Sequence, residues 1–129
     1  MMTKAKVEKV ELNPGKTERR QIISLNIIYM KVVIKKSTNA KKKLMAIFYM
    51  KKDGDWKKKK TVHFGSAGMS DYTVHGDKAR RKRYLDRHRK NESWNNPMSA
   101  GSLSVNILWG SSTSKAANIS AFKRKFGLS

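Results

Sequence analysis

A chain of 129 residues is long enough for one modest domain and too short for two comfortable ones. It carries 30 Lys and Arg against 9 acids, a formal charge of +21, so a compact form repels itself unless a nucleic acid, an anionic surface or an acidic protein supplies counter-charge. Cysteine is absent, which excludes disulfides and thiolate metal sites, and the basic residues run through the whole chain, so the charge belongs to the folded surface and not to a detachable tail.

Residues 1–20 are polar and charged, with Asn13-Pro14-Gly15 as a turn signal and no apolar stretch of signal-peptide type. The longest apolar run, Ile22 to Ile34, has 13 residues and is broken by Ser24, Asn26 and Lys31, short of the ~20 that a membrane span needs. Its β-branched and aromatic content predicts a strand, with a buried helix as the rival because the run has no clear period. Residues 1–40 therefore read as a basic N-terminal arm with one apolar strand region (22–34). Residues 41–129 read as a compact basic domain.

Leu44 to Tyr49 predicts a second strand. Asp53-Gly54 is a strong hairpin signal, since both turn positions tolerate positive φ, and Trp56 to Phe64 is the return strand of a β-hairpin over about 44–64. Strict alternation puts Trp56, Lys58, Lys60, Val62 and Phe64 on one face, and Lys57, Lys59, Thr61 and His63 on the other. The ladder of Lys57, Lys58, Lys59 and Lys60 is either a charged edge that deters strand-on-strand aggregation or an edge that binds a polyanion.

Gly65-Ser66-Ala67-Gly68 ends the hairpin. Asp77 is a good N-cap for a helix over 78–90, in which Tyr84, Leu85 and His88 form the less polar stripe. Asn95-Asn96-Pro97 is a loop before a second helix over 98–109, with Leu103, Ile107 and Leu108 inward. Ser111 to Ser114 caps a third helix over 114–126, where Ile119, Phe122 and Phe126 make one apolar stripe and Gly127 is a C′ residue. Strands first and three short helices after them give an α+β fold.

The chemistry points to binding. The histidines at 63, 75 and 88 match no metal motif without cysteines, and read as structural even with Asp71 and Asp77 nearby. Gly65-x-x-Gly68 lacks the Gly-Lys-Ser/Thr ending of a phosphate loop, and no pair of carboxylates stands out for acid–base work. No catalytic residue, metal, cofactor or small-molecule substrate is expected. The strongest signal is the helix 78–90. Arginine forks hold phosphate and carboxylate in paired hydrogen bonds, and acids that would neutralise this helix are scarce. The expected polyanion- or partner-binding set is Lys57, Lys58, Lys59, Lys60, Arg80, Arg81, Lys82, Arg83, Arg87, Arg89 and Lys90. The bland alternative for these charges is a solvated helix face, and 78–83 also reads as a nuclear import signal. Tyr72, Tyr84, Trp94 and Trp109 are candidates to stack on bases, though Tyr84 and Trp109 fit the core better and Trp94 fits a loop anchor.

One group of residues carries a resemblance: Val62-His63-Phe64-Gly65, Asp71-Tyr72-Thr73, His75-x-Asp77, Arg81-x-Arg83-Tyr84-Leu85-x-Arg87-His88, Trp94, Asn96-Pro97, Ala100-Gly101, Ser104, Ile107-Leu108-Trp109 and the closing Phe122-Lys123-Arg124-Lys125-Phe126. Over about residues 44–127 this pattern resembles a family of small basic, uncharacterised proteins of nucleocytoplasmic large DNA viruses, of the algal-virus and mimivirus kind. The resemblance implies a viral context and no catalytic residues. It leads to the expectation of a virion structural protein, a minor capsid or cement protein assembled in the host cytoplasm. Its expected partners are the major capsid protein and other capsid proteins, with nucleic acid or the inner-membrane surface as further ones. The second expectation is a non-specific DNA-binding or genome-condensing virion protein.

Overall fold

The computed structural model describes residues 30–90 and 93–129. The polar segment 1–20 and the first part of the apolar run, 22–29, lie outside the described residues. Three strands, β1 (Met30–Lys36), β2 (Lys42–Lys52) and β3 (Asp55–Ser66), form an antiparallel sheet in the order β1-β2-β3. Four short helices follow: α1 (Tyr72–His75), α2 (Lys78–His88), α3 (Ala100–Leu103), which continues into a π-helical segment (Ser104–Leu108), and α4 (Lys115–Phe126). The fold is α+β. No helix among the described residues is long and apolar enough to cross a membrane.

The β2–β3 turn forms where Asp53 and Gly54 stand at positive φ, 53° and 85°. Both strands outrun the expected hairpin, because cross-strand pairing carries their lysine-rich ends into the ladder despite the low strand propensity of lysine. β1 pairs with β2 from Met30↔Met50 to Lys36↔Leu44. Residue 40, the expected boundary between arm and domain, therefore falls inside the turn that joins these two strands.

The register corrects the expected faces of β3. Phe48 stands opposite Lys60 but Tyr49 stands opposite Lys58, so Lys59 is an extra residue, a β-bulge. The bulge reverses the alternation beyond it. Val62 and Phe64 stay on the face of Val32, Ala46 and Phe48. Trp56 and Lys58 turn to the opposite face, beside Tyr49 and Lys31, and the Lys31 ammonium lies 4.6 Å from the Trp56 ring centre.

The core lies between one sheet face and the helices. It joins Val32, Ala46, Phe48 and Phe64 to Tyr72, Leu103, Ile107, Leu108, Trp109, Phe122 and Leu128. Phe48, Phe64 and Phe122 are 0–1% exposed, each contributing about 1.5–3 kcal/mol by burial. The expected second helix is α-helical only over Ala100–Leu103. It then widens, with the amide of Trp109 donating to the carbonyl of Ser104 five residues back at 3.0 Å. The wider turn lets the consecutive residues Ile107, Leu108 and Trp109 all be buried, which one stripe of a regular helix would not allow.

The third expected helix appears as α4, capped by Ser114, whose hydroxyl accepts from the amide of Ala117, and closed by Gly127 at φ 66°. α1, a single turn capped by Asp71, is an addition to the three expected helices. After Gly127 the chain returns to the sheet edge. The amide of Ser129 donates to the carbonyl of Met30 and its carbonyl accepts from Val32, both at 3.1 Å.

Candidate polyanion-binding cleft

α2 begins where expected, with the Asp77 carboxylate accepting from the amide of Arg80 at 3.1 Å, and ends at His88, two residues short of the expected end. It has no fully buried residue. What fixes it is an aromatic stack. The Tyr84 ring lies on Trp109, 4.0 Å between centres and 2° from parallel, and its other face meets His88 at 4.2 Å. Tyr84 and Trp109 are thus structural, and both faces of Tyr84 are covered.

A helix sorts its side chains by direction, and this one divides its cations into distinct groups. Arg81 turns inward: its Nε donates to the carbonyls of Trp109 (2.9 Å) and Gly110 (3.0 Å), and its guanidinium lies 5.7 Å from the Tyr72 ring centre. It satisfies carbonyls at the end of the π-helical segment, where the helix dipole favours a cation. Lys82 and Arg89 are taken by one carboxylate, Asp86, at 2.9 and 3.7 Å, and Arg89 also lies 5.4 Å from the Trp94 ring centre. Lys78 and Lys90 are exposed. Arg80, Arg83 and Arg87 form the remaining group. The rise of the helix sets them about 4.5 and 6 Å apart along its axis, and all three border one cleft.

The cleft has a volume of about 490 Å³. Lys42 and Lys43 of β2 stand on it with the three arginines and His88. Ser66, Ser70 and Ser104 add hydroxyls, and Phe64, Gly65, Leu108 and Trp109 supply apolar wall. Gly65 is required there. Its φ is +81°, and a Cβ would lie 2.6 Å from Leu108 Cδ1. Sequence reasoning missed Lys42 and Lys43, since only the pairing of Lys42 with Ser66 and Leu44 with Phe64 brings them to this end of the sheet. The run Lys41-Lys42-Lys43 just before Leu44 was the one available signal.

Among the described residues, the carboxylates at and beside the cleft are already committed, Asp71 being one of its lining residues. Asp71 is 2% exposed; it accepts from the Lys43 ammonium at 2.5 Å, from the amide of Thr73 at 2.9 Å and from the Thr73 hydroxyl. Burial pushes its carboxyl up, but the hydrogen bonds from Lys43 and Thr73 outweigh that and hold it below the ordinary 3.8. Asp77 is held low chiefly by the amide of Arg80, with a smaller pull from the Arg83 charge, and Asp86 chiefly by Lys82. Asp53 and Asp55 belong to the distant hairpin turn. Lys43 is therefore neutralised, whereas Lys42, Arg80, Arg83 and Arg87 make no ion pair with a carboxylate among the described residues.

The other expected binding residues, Lys57, Lys58, Lys59 and Lys60, are exposed and sit on the far half of the hairpin. Lys58 and Gly65 are about 20 Å apart along β3 at ~3.3 Å per residue. The structure does not bring the ladder and the cleft together. The bulge at Lys59 also divides the ladder, with Lys57 and Lys60 on the helix side of the sheet and Lys58 on the other.

The histidines are dispersed. His63 Nδ1 shares a 2.7 Å hydrogen bond with the Ser37 hydroxyl, and His88 stacks on Tyr84. His75 Nδ1 accepts from the amide of Asp77 at 2.8 Å, and its ring meets Trp109 edge-on at 5.4 Å. No group of three or more His, Asp or Glu among the described residues is placed to hold a metal ion.

No curated protein and no solved structure matches the chain. Residues 32–88, from β1 through the hairpin and the cleft arginines to the end of α2, match the model of a family of unknown function (DUF5754).

Proposed function

We propose that this protein is a virion structural component, a minor capsid or cement protein of a large DNA virus, that holds acidic neighbours on its basic surfaces. The observation that carries the reading is the presence of two separate cationic surfaces on one small sheet, the cleft at one end of β2–β3 and the lysine ladder toward the other. A rigid body with two such surfaces tethers two acidic neighbours at once, as a cement protein must, and gains avidity from each contact that the other has placed. The viral context comes from the sequence resemblance described above. On this reading the partners are the major capsid protein and its neighbours in the virion, and the protein is a binding component with no reaction of its own.

A second reading, a non-specific DNA-binding or genome-condensing protein of the virion, is favoured by a different observation: the arginine trio at the cleft, whose forks suit phosphate. Stepwise disruption of purified virions with salt and then detergent separates the two. A cement protein remains with the major capsid protein after the genome is released and cross-links to it in intact particles. A condensing protein leaves with the DNA and is stripped by salt alone. Absence from the virion overturns both.

A further inference from the structure

We infer that the cleft between α2 and the start of β2 is a phosphate-binding site, occupied by the phosphate group of a phosphate ester, whereas the lysine ladder is an unselective charged surface. This deepens the second reading above, on whose arginine trio it rests; under the first reading it leaves carboxylate-bearing neighbours to the ladder, and it concerns what one site recognises wherever the protein resides.

Among the described residues the charge of the cleft is only partly compensated: Asp71 lines it, but its carboxylate is spent on Lys43. Asp71, Asp77 and Asp86 are engaged by Lys43, by the α2 N-terminus and by Lys82, which leaves Lys42, Arg80, Arg83 and Arg87 facing an opening without a carboxylate partner among the described residues. Holding these cations close together is unfavourable until an anion enters.

The identity of the cations narrows the anion. Three of the four are arginines, whose planar forks pair two donors with two oxygens of one group, and a tetrahedral phosphate presents such oxygen pairs in several directions at once. Arg80, Arg83 and Arg87 come from successive turns of one helix that is itself pinned by Tyr84 on Trp109 and by Arg81 on the carbonyls of Trp109 and Gly110. Their backbone positions are fixed before any ligand arrives, which lowers the ordering cost of binding. Ser66 and Ser70 add hydroxyl donors at the same wall, as phosphate sites commonly use.

The Tyr84 ring does not serve a base. Tyr84 is covered on one face by Trp109 and on the other by His88, so a nucleobase has no open Tyr84 face to stack on. With that ring taken, the recognition we infer is of the phosphate, through the arginine forks. That chemistry is common to a nucleic-acid backbone and a phospholipid headgroup.

The test uses the purified full chain, labelled with 15N, in phosphate-free buffer. Inorganic phosphate is expected to shift the backbone and arginine Nε–H resonances around Gly65, Ser66, Arg80, Arg83 and Arg87 in a saturable way, while sodium chloride at matched ionic strength does not, and Lys57–Lys60 stay nearly still. The triple variant R80K/R83K/R87K keeps every charge but loses the forks. It is expected to weaken phosphate binding about tenfold with an unchanged melting temperature. Displacement of bound phosphate by a twelve-nucleotide oligothymidylate assigns the site to a nucleic-acid backbone, and displacement by phosphatidylglycerol vesicles assigns it to a headgroup; either supports the inference. Three results overturn it: the lysine variant binds phosphate within twofold of the parent, polyglutamate of equal charge displaces phosphate as well as the oligonucleotide does, or the saturable shifts fall on Lys57–Lys60 instead.

Discussion

The two basic ends of the β2–β3 hairpin are alike in charge and unlike in construction. At the turn end, Lys57 to Lys60 stand exposed on a bulged strand, and the nearby Trp56 lies in the sheet's other face beneath Lys31. At the open end, Lys42, Arg80, Arg83 and Arg87 surround a cleft with an apolar wall of Phe64, Leu108 and Trp109. The same charge density thus yields a diffuse surface where the support is a strand edge, and a concave site where it is a helix held on the core. Charge brings a partner near, but only a site whose cations are fixed around a cavity can discriminate among anions.

The largest expected difference lies in the core beneath each end. Phe64→Ala, under the cleft and 1% exposed, should cost about 3–5 kcal/mol in a denaturant titration. Trp56→Ala, at a position 37% exposed on the turn half, should cost less than about 1.5 kcal/mol, mostly through loss of partly exposed ring and cation contacts. Equal costs would mean that the two ends share one core, against the separation between them.

Two glycines sharpen the comparison further, since both stand at positive φ. At Gly54, in the turn, a Cβ would meet nothing within 4 Å, whereas at Gly65 it would lie 2.6 Å from Leu108 Cδ1. Gly54→Ala should then cost about 1–2 kcal/mol, the strain of a left-handed alanine. Gly65→Ala adds overpacking to that strain and should cost about 2–4 kcal/mol, with broadened cleft resonances.

Acid should act at the cleft end. Asp71 is held below 3.8 in the folded protein, so the unfolded chain binds its proton more readily and the carboxylate's contribution is complete above that value. It fades as the pH falls from about 4 through the lower folded pKa. Asp71→Asn should remove about 2 kcal/mol at neutral pH, the scale of hydrogen bonds to a charged group, and flatten the acid limb of the stability profile. A variant as acid-sensitive as the parent would place the responsible carboxyl elsewhere.

Local chemistry was legible in the sequence wherever one residue settles a conformation. Asp53-Gly54 announces its turn, Asp77 and Ser114 announce their helices, and Gly127 ends the last one. What escaped depends on the partner strand or helix. A run of four lysines has no alternation of its own, so nothing in it marks Lys59 as the bulge that turns Trp56 away from Phe64. The π-helical widening at Ser104–Leu108 follows from the burial demanded of Ile107, Leu108 and Trp109 together. The single turn at Tyr72–His75 is too short for any periodicity, and only Asp71 before Thr73 hints at it. The arginines were visible as a basic helix. Which of them are open to a ligand was not, because the contacts of Arg81 with Trp109 and Gly110, 28 and 29 residues away, exist only in the fold.

The most direct test of the account is the salt dependence of binding to a fluorescent oligothymidylate, compared between a cleft variant, R80Q/R83Q/R87Q, and a ladder variant, K57Q/K58Q/K59Q/K60Q. If the cleft engages phosphate, the cleft variant loses more affinity although it loses fewer charges, and its slope of log K against log salt falls by about 2, near 0.7 for each lost phosphate contact on a single strand. The opposite ranking, with the ladder variant the weaker binder and the cleft variant unchanged in slope, would contradict the claim that the cleft, and not the ladder, holds the phosphates of a nucleic-acid backbone.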